Sequence, residues 1–246
     1  MNAANRLLYG AIMVLAVVVA WLLLRRRQIK LDLDFHQRSG LAYAGFVGAM
    51  LGAKVPFLLE ADWESLTNGT LWLSDGKTIL GGIFGGYLAV EITKWMMGVH
   101  QKTGDSFAIP LAAAFAIGRL ACFFAGCCYG TATELPWGCD FPLAQDPPGT
   151  HRHPTQLYEV AFHSSAIFIL WVAERRNWLV HQRLKAYLMA YLIFRFVTEW
   201  IRPEPIIAAG LTGYQIACMV LWILLAALWV RDRPPPTGSS SNDLAS

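Results

Sequence analysis

The feature that most limits what this chain can fold into is a series of apolar blocks separated by short charged connections. Several blocks approach the roughly 20 residues that cross a hydrocarbon layer about 30 Å thick. A water-soluble core has no use for so many. With 55% hydrophobic and 15% charged residues, the chain falls in the membrane class. The expected fold is all-α: a polytopic integral membrane bundle of about seven transmembrane helices. Residues 1–233 are read as one domain and residues 234–246, polar and Ser-rich, as a disordered cytoplasmic tail.

The blocks fall at residues 7–24, 40–59, 78–97, 106–128, from Thr155 to the Glu174-Arg175-Arg176 run, 185–201 and 206–230. Arg25, Arg26, Arg27 and Lys30 follow the first block at once, so by the positive-inside rule the amino terminus faces out and the carboxyl terminus is cytoplasmic. No small-residue cleavage site separates that block from the arginines, which predicts a retained helix. Asp62, Glu64 and Asp75 after the second block carry the opposite sign, as an outer loop would. Gly45, Gly48 and Gly52 in the second block and the Gly81-Gly82-Ile83-Phe84-Gly85-Gly86 run in the third suit close helix packing. Asp105 is a candidate cap for the fourth helix. The net charge of +3 is small and its cations lie in connections, so no nucleic-acid partner is expected.

Chemistry concentrates at residues 118–130, where Arg119 and three thiols end an apolar run. An arginine well inside the hydrocarbon costs roughly 2.5–3.5 kcal/mol on insertion scales and calls for an anionic partner. Arg119 has no carboxylate at i±3 or i±4, so a lipid phosphate is the expected partner. Arg195 and Glu199 are spaced i, i+4, which lets the glutamate orient the arginine and leave guanidinium donors for a ligand. Neutralising each other inside the bundle is the plainer reading of that pair. His153 precedes a helix that Thr155 can cap, and it can move a proton near neutral pH or bond loop carbonyls instead. Cys122, Cys127 and Cys128 beside a cation favour nucleophilic, metal-binding or redox behaviour over plain packing. Their C-x4-C-C spacing lacks the C-x2-C pairs of common zinc sites, so no metal and no cofactor is expected. The five cysteines make no disulfide framework, and Tyr9 lies in the outer half of the first span.

These stretches, namely Leu8-Tyr9-Gly10, residues 41–48, the glycine run, Gly118-Arg119 through Gly130, residues 152–159 and residues 194–202, resemble the phosphatidylglycerol:prolipoprotein diacylglyceryl transferase family over most of the chain. The resemblance implies transfer of a diacylglyceryl group from phosphatidylglycerol to a lipobox cysteine at the outer leaflet of the bacterial inner (plasma) membrane, by a multi-pass monomer. Its partners would be phosphatidylglycerol, a prolipoprotein lipobox peptide and the bilayer. It further implies that Arg119 binds the head group with Gly118, Gly130, Cys122 and Cys127 around it, and that Arg195, Glu199, His153 and Tyr9 carry the reaction. The chain departs from the family pattern at three places: Cys122 replaces an asparagine, Cys127 a glutamate, and Leu80 a histidine. Those departures keep three alternatives in view: a related transferase with another acceptor, a thiol redox protein using Cys122, Cys127 and Cys128, or a non-catalytic lipid-binding protein.

Overall fold

The structure, a computed structural model, describes residues 3–60, 78–144, 146–147 and 149–232. Most of the acidic outer loop, with Asp62, Glu64 and Asp75, and the tail from residue 234 lie outside the described residues. Among the described residues there are seven α-helices: α1 (Ala3–Gln28), α2 (Phe35–Glu60), α3 (Ile79–Met96), α4 (Gly104–Ala125), α5 (Thr155–Arg175), α6 (Arg183–Thr198) and α7 (Gly213–Arg231). Four of them, α1, α4, α5 and α7, are long and apolar enough to cross a membrane. The fold is an all-α membrane helix bundle. At 16 residues, α6 rises only about 24 Å. The 3-10 turn Glu199–Ile201 continues it by about 6 Å, to roughly the thickness of a hydrocarbon layer.

The helices alternate in direction, as their end contacts show. Arg27 at the end of α1 pairs with Glu174 at the end of α5 (2.6 Å), and Lys185 at the start of α6 pairs with Asp232 beyond α7 (2.6 Å). Asp105 at the start of α4 belongs to the same end. It does not cap α4, whose N-cap is Thr103 without a side-chain hydrogen bond. Its carboxylate instead accepts from the His181 and Arg183 backbone N–H groups (2.6 and 2.9 Å), so it caps α6 from a neighbouring helix. The opposite end gathers the end of α4, the start of α5, the end of α6 and the start of α7.

The α2–α3 pair is built on backbone contact. A Cβ on Gly52 would sit 2.4 Å from the Gly81 carbonyl oxygen, and one on Gly85 would sit 2.4 Å from the Gly48 carbonyl oxygen. Only hydrogen fits between the two backbones there. Thr78 fastens the entry to α3: its N–H donates to the Ala53 carbonyl (2.9 Å) and its hydroxyl accepts from the Gly81 N–H (3.2 Å). Gly85→Val is expected to force these helices apart and cost about 1–3 kcal/mol or more, as overpacking does. A fall in the melting temperature of the detergent-solubilised protein is the measurement; an unchanged melt would contradict the close contact.

The main core lies where α4, α5, α6 and α7 meet, around Ala112, Leu170, Leu188, Tyr191, Leu192 and Cys218. Cys218 is thus a small core residue. The last block differs from its sequence reading. Residues 206–212 are not helical but form a hairpin, β1 (Ile206–Ala208) against antiparallel β2 (Leu211–Thr212). Ala209 (φ 51°) and Gly210 (φ 77°) at its tip are both left-handed, as a type I′ turn requires. Then Thr212 starts α7 with a reciprocal capping box to Gln215.

Candidate active site

At the end of α4 the helix is stopped by Gly126 in the left-handed region (φ 69°). The Gly126 N–H donates to the Phe123 carbonyl (3.0 Å) and the Cys127 N–H to the Cys122 carbonyl (3.1 Å). This bond pair is a Schellman motif, which brings the side chains five residues apart into contact. Cys127 is thereby folded back over Cys122, and Cys128, itself left-handed (φ 63°), brings the third thiol to them.

The loop from Gly126 to Pro154 is irregular but tied down. Arg152 pairs with Asp146 through two hydrogen bonds (2.5 and 2.7 Å), donates to the Gly130 carbonyl (3.0 Å) and covers the Tyr129 ring. That guanidinium holds the Asp146 carboxyl below the usual carboxylate range. Gly130 sits where backbones converge: a Cβ there would lie 2.5 Å from the Ile201 carbonyl oxygen. Thr155, expected to cap α5, is its first residue and donates its hydroxyl to the Cys128 carbonyl (2.6 Å) instead. Gln156 Nε2 donates to the Cys127 carbonyl (2.5 Å).

Behind this loop lies a buried ionic cluster. Arg119 Nε donates to Glu159 Oε2 of α5 at 2.6 Å, with side chains 9% and 1% exposed. Arg119 has no carboxylate at i±3 or i±4, so this protein partner is not visible in the sequence. Its partner is 40 residues away in sequence, beyond the reach of an i±4 rule. The other Glu159 oxygen accepts from Arg202, and Tyr191 donates to Oε2 at 3.2 Å. Arg195 pairs with Glu199 as the i, i+4 spacing predicts. Glu199 also accepts from the Thr212 hydroxyl (2.9 Å), the same group that caps α7. Tyr191, Arg195 and Glu199 follow one another at i, i+4 intervals, so one face of α6 and of the 3-10 turn that continues it joins both ion pairs.

Three buried guanidinium groups thus face two buried carboxylates, a surplus of one positive charge. Arg119 is engaged through Nε, and its terminal amino groups meet no protein acceptor among the described residues. Arg202 Nε is buried and meets no partner among the described residues. Glu204 lies just outside the cluster; burial first, and the Glu199 charge second, push its carboxyl above the usual range.

Sequence reading missed the parts that Arg202 and Glu159 play in this cluster. It also missed His163, which is fully buried one turn along α5, with Nδ1 2.9 Å from the Tyr187 hydroxyl and Nε2 3.9 Å from Glu159. The i, i+4 spacing of Glu159 and His163 was the available signal. His153 stands apart from this cluster. Its Nδ1 lies 3.1 Å from the Tyr158 hydroxyl, which in turn accepts from Trp137 Nε1 (2.8 Å). On α1 the Met13 sulfur approaches Gly118, and since α1 and α4 run oppositely, Tyr9 lies one turn further toward the thiol end of α4.

A family model described as prolipoprotein diacylglyceryl transferase matches residues 6–231. Curated proteins named phosphatidylglycerol–prolipoprotein diacylglyceryl transferase are similar over nearly the whole length. The Clostridium tetani protein is 32% identical, over 80% of this chain and 81% of its own. The Legionella pneumophila (strain Corby) protein is 31% identical over 90% of each, and the Pseudomonas fluorescens protein 30% identical over 95% of this chain and 92% of its own. A buried arginine cluster at one end of a membrane helix bundle, with that similarity from the first helix to the last, makes this chain a member of the prolipoprotein diacylglyceryl transferase family.

Proposed function

We propose that this protein moves a diacylglyceryl group from phosphatidylglycerol to the cysteine thiol of a prolipoprotein, as a multi-pass monomer at the outer face of a bacterial plasma membrane. The observation that carries the reading is the surplus of one positive charge among Arg119, Arg195, Arg202, Glu159 and Glu199, with guanidinium N–H groups left over. A phosphodiester carries one negative charge and offers acceptor oxygens to match.

In the reaction the acceptor sulfur attacks the glyceryl carbon that bears the phosphate ester. The C–O bond breaks, its electron pair leaves on the phosphate oxygen, and glycerol phosphate departs while a thioether forms. Negative charge grows on the phosphate as the bond breaks, so fixed guanidinium donors stabilise the transition state more than the bound lipid. Arg119 and Arg195 are assigned the phosphate, with Glu199 orienting Arg195. Tyr9, Gly118 and Gly130 are assigned to the walls of the site, and His153 to proton transfer at its loop side. A cavity of about 1130 Å³, lined by residues such as Trp21, Leu24, Phe46, Ile83, Phe107 and Leu188, occupies the half of the bundle away from Arg119 and begins at Thr103. It runs beside α4 as far as Ala114, five residues or about 7.5 Å short of Arg119.

The test uses the purified protein in phosphatidylglycerol vesicles with a lipobox peptide. Thioether-linked diacylglyceryl peptide should appear in the mass spectrum, and should not with phosphatidylcholine alone. Absence of product from phosphatidylglycerol, together with failure to complement a transferase-depleted strain, would overturn the reading.

A further inference from the structure

The thiol group at the end of α4 has a construction of its own. The sulfur atoms of Cys122, Cys127 and Cys128 all lie within 4.8 Å of one another. The backbone causes this: the Schellman reversal at Gly126 sets Cys127 on Cys122, and the left-handed Cys128 turns its side chain to the same point. The reversal is held from a second helix, because Gln156 and Thr155 of α5 donate to the Cys127 and Cys128 carbonyls. C-x4-C-C spacing counts against a metal when the ligands hang on one hairpin. A helix C-terminus that doubles back brings them together by another route.

We propose that Cys122, Cys127 and Cys128 form a three-thiolate site for a thiophilic d10 cation, zinc above all, with the fourth coordination position open to an external thiol. Zinc–sulfur bonds of about 2.3 Å put tetrahedral sulfurs about 3.8 Å apart, so the three sulfurs need to close by about 1 Å at most. Side-chain rotation of Cys122 in the last turn of α4 and of Cys127 and Cys128 just beyond it supplies that much. Among the described residues no fourth side chain joins the group: the Cys139 thiol is turned to the Trp137 carbonyl (3.7 Å) and Cys218 is in the core. Three protein ligands with one open position is the pattern of a zinc that works on a ligand, where purely structural zinc is closed by four. Cys122 and Cys127 are half-buried and Cys128 is exposed, so an ion and a further ligand have a way in.

The identity of that external thiol rests on the transferase reading, in which it is the prolipoprotein cysteine. The thiol binds the cation as thiolate, and its proton leaves for solvent by way of His153, which the transferase reading assigns to proton transfer. The metal-held sulfur then attacks the glyceryl carbon, and the C–O electron pair leaves with the phosphate. Zinc stays divalent throughout. The cation thereby lowers the cost of making a thiolate near neutral pH, as bound metals do for water and thiols.

The experiment uses the full chain, purified in detergent, stripped with a chelator and titrated with Co²⁺ and Cd²⁺ as zinc probes. One equivalent per chain should bind, with thiolate charge-transfer absorption. Cys122→Ser, Cys127→Ser and Cys128→Ser should each weaken binding by more than about 100-fold, beyond the cost of altering a residue that merely supports a ligand. Cys139→Ser and Cys218→Ser should leave it unchanged. Adding lipobox peptide to the Co²⁺ form should shift the visible d–d bands, and a peptide with serine for cysteine should not. Cys→Ala variants at the same three positions, checked by thermal melting, cover any serine variant that fails to fold. The proposal is overturned if the triple variant binds Cd²⁺ like the wild type, if two of the three sulfurs are found in a disulfide, or if the peptide leaves the Co²⁺ spectrum unmoved. The two readings separate: metal binding with this pattern but no thioether product sinks the transferase, whereas wild-type thioether formation by the triple variant sinks the metal's role alone.

Discussion

Glu159→Ala is expected to destabilise the protein by about 3–5 kcal/mol and to abolish diacylglyceryl transfer, because it removes one partner of a buried ionic group and strands the others. Glu159 is 1% exposed and accepts from Arg119, Arg202 and Tyr191 at once, with His163 one turn along the same helix. Without it, Arg119 and Arg202 are two buried cations facing each other with no anion between them. Glu159→Gln keeps the shape and a hydrogen-bond acceptor while losing the charge, so its loss should be smaller. Adding Arg202→Met to Glu159→Ala should recover part of the stability, since it deletes one of the stranded charges. That positive coupling is the signature of a charge cluster, as distinct from a packing role. Thermal melting of these proteins, together with Arg202→Met alone, in one detergent measures it. Additive losses would show that Glu159 and Arg202 act independently, against the geometry.

What the sequence made legible follows from what local rules can see. Blocks of apolar residues and their flanking cations mark α1, α4 and α5 closely, because helix length and charge bias are properties of one segment. The glycines of α2 and α3 declare a close approach, and the two runs do meet backbone to backbone. Arg195 and Glu199 are legible as a pair because they share a helix face. Arg119 is legible as a cation that needs an anion, but not the identity of that anion: Glu159 comes from another helix, and spacing carries no information across 40 residues. The same limit hid the true role of Asp105, which caps α6 rather than its own helix. Residues 206–212 read as apolar helix because Ile206, Ile207 and Leu211 continue the pattern. The left-handed pair Ala209 and Gly210 turns them into a hairpin, and a single glycine is a weak signal for that. The thiol cluster fell between the two cases. Its Gly126 is a helix-stop signal in sequence, but the meeting of three sulfurs appears only once the helix is known to end there.

Arg119→Lys separates the two tasks that this arginine performs. A lysine in its place keeps the positive charge, so Glu159 retains a counter-ion and the fold should melt within a few degrees of the wild type. What it cannot keep is the fork. Arg119 spends Nε on Glu159 and presents its terminal amino groups elsewhere, whereas a single ammonium must choose between the carboxylate and a lipid phosphate. The donors lost are those aimed at charge that grows as the C–O bond breaks. The loss should therefore fall on the rate more than on lipid binding, about 10²–10³ in kcat, the size seen when one oxyanion donor is removed. Arg119→Ala, in contrast, should also destabilise, since it leaves Glu159 with Arg202 as its one remaining guanidinium partner. Rates of thioether formation over a range of phosphatidylglycerol mole fractions distinguish the outcomes. If Arg119→Lys turned over at the wild-type rate, the arginine would be serving only as the counter-ion of Glu159, and the phosphate would have to be held by Arg195 and Arg202 alone.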